Sequence, residues 1–157
     1  MKRERISQGL ALIPSGVFVL ATTHKGNRTA MLASFIQQVG FDPPMIVTAI
    51  QHKRPISWMI RESKQFTISI LSKDSKKSLR HFWQGVAEEG DPFEGLDTSL
   101  YDTNIPILDD AVGFLECKLS GTTKAGDHWL IIGKVVNGGR LKEGEPFVRI
   151  RTDGFDY

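Results

Sequence analysis

The stretch that most constrains this chain is Leu32–Ile50, LASFIQQVGFDPPMIVTAI. Two apolar runs flank Gly40 and the rigid Asp42-Pro43-Pro44, and a pair of glutamines sits inside the first run. Each proline fixes its own φ and restricts the residue before it, so the chain must turn here. A plain buried hairpin favours an Asn-Gly turn and has no reason to carry Gln37 and Gln38 in one arm. The pattern predicts a strand from about Arg28 to Val39, a stiff elbow at 42–44, and a strand over Met45–Gln51. On one continuous strand Leu32, Ser34, Ile36 and Gln38 share a face. A face that mixes small, apolar and amide side chains suits a flat heteroaromatic ligand, which needs a smooth wall and a few hydrogen bonds. An edge strand whose polar residues meet water would carry the same pattern.

The flanking sequence supplies more strands than helices. Ile6, Leu10 and Ile13 fall at helical spacing, so residues 3–12 read as a short amphipathic helix stopped by Pro14. VFVLATT (17–23) reads as a strand, with a turn at His24-Lys25-Gly26-Asn27. Pro55 suits a first helical position, and Ile56, Met59 and Ile60 follow at helical spacing. FTISIL (66–71) is a strand, and 72–84 reads as a helix with Leu79, Phe82 and Trp83 inward and Gly85 as its stop. Residues 86–110 are rich in Gly, Asp and Pro, and a segment of that length is a lid or interface element or else partly disordered. Residues 113–120, 128–136 and 146–151 complete the strands. Adjacent strands without intervening helices predict a mainly β fold, a small barrel with peripheral helices, and no linker divides residues 1–157 into more than one domain.

Composition narrows the function. The net charge of +2 comes with no Lys/Arg cluster interleaved with aromatics, which argues against nucleic acid. The basic run Lys73–Arg80 alternates with serines and reads as a solvated helix face. No 18-residue apolar span or signal-type apolar region is present, so no membrane role is expected. Cys117 is the single cysteine, giving neither a disulfide nor a metal pair and pointing to a reducing cytoplasm. GTTKAGDH (121–128) begins like a phosphate-binding loop but has Asp127-His128 where Lys-Ser/Thr is needed, with a strand following. Neither a Gly-x-Gly-x-x-Gly nor a Gly-x-Ser-x-Gly pattern occurs, and the four histidines lack metal-ligand spacing.

Two further features carry chemistry. Lys53 and Arg54 stand immediately before the helix start at Pro55, with Ser57 in its first turn. Free N–H groups, the positive end of the helix dipole and two cations make an anion site. Solvated loop charges would look the same. Asp127-His128 opens a strand after a glycine, where a histidine either meets substrate or bonds structurally to a neighbour.

In order along the chain stand Pro14-Ser15-Gly16-Val17, Met31 to Val39, Asp42-Pro43-Pro44, Lys53-Arg54 before a helix, and Phe66 to Leu71. Gly126-Asp127-His128 leading to Gly133-Lys134-Val135 follows, and then Gly154-Phe155-Asp156-Tyr157. In this order and spacing the chain resembles the flavin reductase-like family, whose fold is the FMN-binding split β-barrel. It is most similar to the branch with the flavin reductase modules of cyanobacterial diflavin proteins. The resemblance implies that Ser34, Phe35, Ile36, Gln37, Gln38 and Val39 hold the flavin ring, and that Lys53, Arg54 and Ser57 hold the FMN phosphate. It implies a positioning role for His128 near the flavin or nicotinamide. Members of the family often carry Ser at the positions of Gln38 and Gly40, and Asn at Ser69.

The implied activity is hydride transfer from NADH or NADPH to FMN or FAD, with the 86–110 segment covering the nicotinamide. The implied state is a homodimer, and the implied acceptor is a partner flavoprotein or oxygenase; Phe82, Trp83, Phe93 and Trp129 suit such an interface or, equally, the core. An FMN-binding electron carrier or sensor without NAD(P)H turnover is the main alternative, and a split-barrel assembly module that has lost flavin is a weaker one.

Overall fold

The computed structural model describes residues 1–157. Helix α1 (Lys2–Ala11) leads into β1 (Ser15–Gly16), β2 (Phe18–His24) and β3 (Asn27–Ala33). Strands β4 (Ile36–Phe41) and β5 (Pro44–Gln51), helix α2 (Pro55–Ser63), β6 (Gln65–Ile70) and α3 (Lys76–Trp83) follow. The short β7 (Thr98–Ser99) and β8 (Ile107–Leu108) precede the long β9 (Gly113–Ala125) and β10 (His128–Arg140), and β11 (Val148–Arg149) closes the series. The expected mainly β architecture with peripheral helices is what the structure shows.

Seven strands form one antiparallel sheet in the order β3-β2-β6-β9-β10-β5-β4. Its central strand, β9, pairs with β6 on one side and β10 on the other. Two apolar cores form around this sheet. One gathers Leu20, Ile46, Ile50, Ile56, Ile60, Phe66, Ile68 and Ile131. The other gathers Val17, Val19, Leu71, Phe82, Phe93, Ile105 and Leu108. Alternation in β5, where Ile46, Thr48 and Ile50 are buried and their neighbours are not, is the period-2 signature of a strand with one face on the core.

The expected strand from Arg28 to Val39 is two strands. The register runs Phe18↔Ala33 on one side and Ile36↔Thr48 on the other, so the chain leaves β2 and reaches β5 across Ser34 and Phe35. The Ile36 N–H donates to the Ser34 carbonyl at 3.1 Å, and the Ala49 N–H donates to the Phe35 carbonyl at 2.9 Å, which fixes the crossing. Leu32, Ser34, Ile36 and Gln38 therefore do not form one strand face. The elbow is a tight hairpin turn with Phe41 paired to Pro44, and the Asp42–Pro43 bond is cis.

Two other expectations are corrected, and one left open is decided. Residues 72–75 are not helical, because the Ser72 and Ser75 hydroxyls accept from the Asp74 and Ser72 N–H groups and compete with the helix. Trp83 faces outward, 48% exposed, with the Arg149 guanidinium 4.9 Å from its ring centroid. Phe82 and Phe93 pack edge to face in the core, which decides for those two the choice the sequence left open between core and interface.

The 86–110 segment is ordered by its own contacts. Buried Glu116 on β9 accepts from the Asp102 and Thr103 N–H groups, the Thr103 hydroxyl and the Asn137 amide. Burial alone would raise this carboxyl, but the hydrogen bonds together outweigh it and hold it below its ordinary value.

Candidate functional site

Helix α2 begins as the sequence predicts, with Pro55 at its first position and Arg54 at the N-cap. No side chain caps it, so a cation occupies the position where Ser, Thr or Asp would ordinarily accept from the first turn. The start of α2 and Arg54 line a cavity of about 1000 Å³. Its remaining walls are β3 (residues 27–32), Phe82 and Trp83 at the end of α3, the 85–91 segment, Arg149 and Tyr157. The Arg28–Asp91 ion pair, 3.3 Å long, ties β3 to that segment and closes one side.

A second cluster stands against this cavity. The Phe35 ring centroid lies 5.8 Å from that of His128 and 5.1 Å from that of Tyr157. The Arg151 guanidinium is 5.1 Å from the Phe35 centroid. His128 Nδ1 bonds Asp127 Oδ1 at 2.6 Å, and its Nε2 bonds the Tyr157 hydroxyl. The bond from His128 lowers the exposed Asp127 carboxyl below the usual carboxylate range. Burial raises the Tyr157 phenol, with Arg54 and Arg151 opposing and Asp127 reinforcing that shift.

The residues singled out in the sequence thus divide into three groups. Arg54 lines the cavity, and Lys53 is exposed beside it. Phe35 and His128 form the cluster behind Tyr157, with Ser34 and Ile36 flanking Phe35 and half-buried. Gln37, Gln38 and Val39 are exposed on β4. The Gln38 amide donates to the Gly40 carbonyl at 3.1 Å, across a bulge in the β4–β5 pairing. Ser57 is buried, and its hydroxyl donates to the Arg54 carbonyl at 2.9 Å, so it braces the helix start rather than facing the cavity.

Sequence reasoning gave no binding role to Tyr157, Arg149 or Arg151. All three come from the last strand and the segment after it, which reach the site only by tertiary folding. Cys117 has no place in the chemistry. It is fully buried, and burial, aided by the Glu116 charge, pushes its thiol up to about 12.

The sequence model of the flavin reductase like domain matches residues 10–152. The chain belongs to this family. It is 31% identical over 155 residues to Diflavin flavoprotein A 1 of Synechocystis sp., covering 97% of this chain and 27% of that protein. The chain therefore spans about a quarter of the length of that relative. The fold matches the NADH:FAD oxidoreductase SgcE6 of Streptomyces globisporus, with a TM-score of 0.84, 22% identity, and coverage of 94% of this chain and 90% of that one. It also matches the flavin reductase HpaC solved with NADP+, with a TM-score of 0.80, 24% identity, and coverage of 94% and 92%. This flavin reductase-like chain has the split-barrel fold of those enzymes. No helix in it is long and apolar enough to cross a membrane.

Proposed function

We propose that residues 1–157 act as one flavin reductase module, binding FMN and passing hydride to it from NADH or NADPH. The observation that carries this reading is the convergence of Arg54, the uncapped start of α2 and an aromatic wall on one cavity of about 1000 Å³. A cation beside free helix N–H groups suits a phosphate, and mixed polar and apolar walls suit a heterocycle. The residues present fit a flavin nucleotide. The flavin, when bound, supplies the redox chemistry by accepting hydride from the nicotinamide. The chain's own contribution is positional: Lys53 and Arg54 offer charge to the phosphate, and the Phe35, His128 and Tyr157 cluster gives the ring a rigid support. The 85–91 segment, tied by Arg28–Asp91, limits water entry.

The family and the lone buried Cys117 support a cytoplasmic module that hands reduced flavin to a partner flavoprotein or oxygenase. A homodimer is supported by the apolar strip Leu12, Ile13, Val148 and Ile150, which are 71%, 60%, 64% and 60% exposed and adjoin the β1–β11 ribbon. Light scattering at micromolar concentration tests it, and a monomer mass would rule the dimer out.

The decisive experiment is paired. Purified protein titrated with FMN should bind it, and NADH or NADPH should then be consumed with added FMN or FAD. Binding without nicotinamide consumption would favour the electron-carrier reading. No binding would overturn the proposal.

A further inference from the structure

Phe35, His128 and Asp127 are among the residues the sequence singles out, yet unlike Arg54 none of them lines the large cavity. Tyr157 does, and it touches or bonds the first two. We infer that Tyr157 is the aromatic wall against which the flavin ring packs, and that Asp127 and His128 are positioning residues that hold it there. The inference rests on the flavin-binding reading given above.

A carboxylate only accepts, so in the neutral imidazole Asp127 Oδ1 takes the His128 Nδ1–H at 2.6 Å, and Nε2 is then the acceptor for the Tyr157 O–H. The raised phenol stays protonated at neutral pH and so remains the donor. Phe35 is already surrounded by Tyr157, His128 and the Arg151 guanidinium, so it supports the tyrosine from behind. Arg149 Nη2 donates to the Tyr157 carbonyl at 3.5 Å, holding its backbone to β11. The phenol is thus fixed at its hydroxyl, its ring and its backbone. A ring immobilised before binding has little rotamer freedom left to lose when a ligand stacks on it. Arg54 lines the same cavity and its charge is felt at the phenol, so a stacking surface and a phosphate-binding cation lie side by side. That pairing matches a ring and phosphate joined by a short chain.

The test uses the fluorescence of FMN, which an electron-rich phenol in contact quenches and a phenyl ring does not. Trp83 also lines the cavity, so the measurements are made in a Trp83→Phe background that retains a ring beneath Arg149. In that background bound FMN should be dark. Tyr157→Phe should keep affinity within about threefold while bound FMN regains emission, because the ring stays and the phenol does not. Tyr157→Ala should weaken binding about tenfold. His128→Gln, whose amide oxygen still accepts from the phenol, should keep the quenching, and His128→Leu should lose much of it.

Circular dichroism and a thermal melt confirm that each variant is folded. Undiminished quenching in Tyr157→Phe with unchanged affinity in Tyr157→Ala, while Arg54→Ala still weakens binding, would overturn the Tyr157 assignment and leave the flavin site standing. Equal quenching in His128→Gln and His128→Leu would overturn the positioning role. Absence of FMN binding by the unaltered chain would overturn both this inference and the function beneath it.

Discussion

Strands β3 and β4 are neighbours in sequence and lie at opposite edges of the seven-stranded sheet. β3 packs under helix α2 and forms a wall of the large cavity, and its partner strand β2 is buried over Val19–Thr22. β4 turns Gln37, Gln38 and Val39 to solvent and ends at Phe41, which is 90% exposed. The sharp change at Ser34-Phe35 shows that one run of strand-forming residues can serve two ladders. Strand propensity reports fitness for a pleated surface, and it says nothing about which partner supplies that surface.

The contrast can be broken at several points. The largest effect is expected under β3, where Ile60 of α2 is fully buried. Ile60→Ala should cost about 2–5 kcal/mol in urea unfolding, through lost transfer energy and the cavity left behind. A loss no larger than at a solvent-facing β4 position would remove the distinction between the two edges.

Next comes the central strand β9, shared by both arms of the sheet. Glu116→Gln should cost about 2 kcal/mol, because a neutral amide cannot accept from all the donors now aimed at the carboxylate. Its carboxyl is lowered from the ordinary value of 4.5 in the folded state, so its stabilisation is present above that value. It is lost as pH falls through the lower folded value. Acid melts of the Gln variant should lack that component, and parallel curves for the two proteins would refute the assignment.

On the cavity side, Arg54→Ala should weaken FMN binding by about 1–3 kcal/mol, the range for a hydrogen bond to a charged group. An unchanged titration would move the phosphate elsewhere. The smallest effect belongs to β4. Gln38→Ser should leave stability within about 0.5 kcal/mol, since the side chain is exposed and bonds only its own bulge. Its effect on FMN affinity should fall below that of Arg54→Ala, and a larger one would make the β4 edge the principal flavin contact.

The helix at Pro55, the strand over 66–71 and the mainly β character were all legible from periodicity, because each rests on local spacing or on proline and glycine geometry. The break between β3 and β4 was not, since period-2 alternation continues through a change of partner. The outward Trp83 was misread because helical spacing locates a stripe without saying where the helix begins, and serine side chains delayed α3 to Lys76. Of the candidate site, Arg54 was legible as a cation out of place at a helix start. Tyr157 was not, because its part depends on a bond to His128 from a segment distant in the chain. Glu116 gave a weak signal only in hindsight, as a charged residue amid the apolar residues of Gly113–Cys117.

The sealed thiol of Cys117 offers a practical consequence. Only a thiolate reacts readily with an alkylating reagent, and this sulfur is both fully buried and pushed to about 12. It sits where the central strand meets β6 and β10, paired with Phe66 and Val135. Labelling at neutral pH must therefore wait for the sheet to part, so its rate counts openings of the molecule. A single native atom thereby serves as a clock for the whole barrel, and FMN added at saturation should slow it in proportion to how tightly the closed form binds.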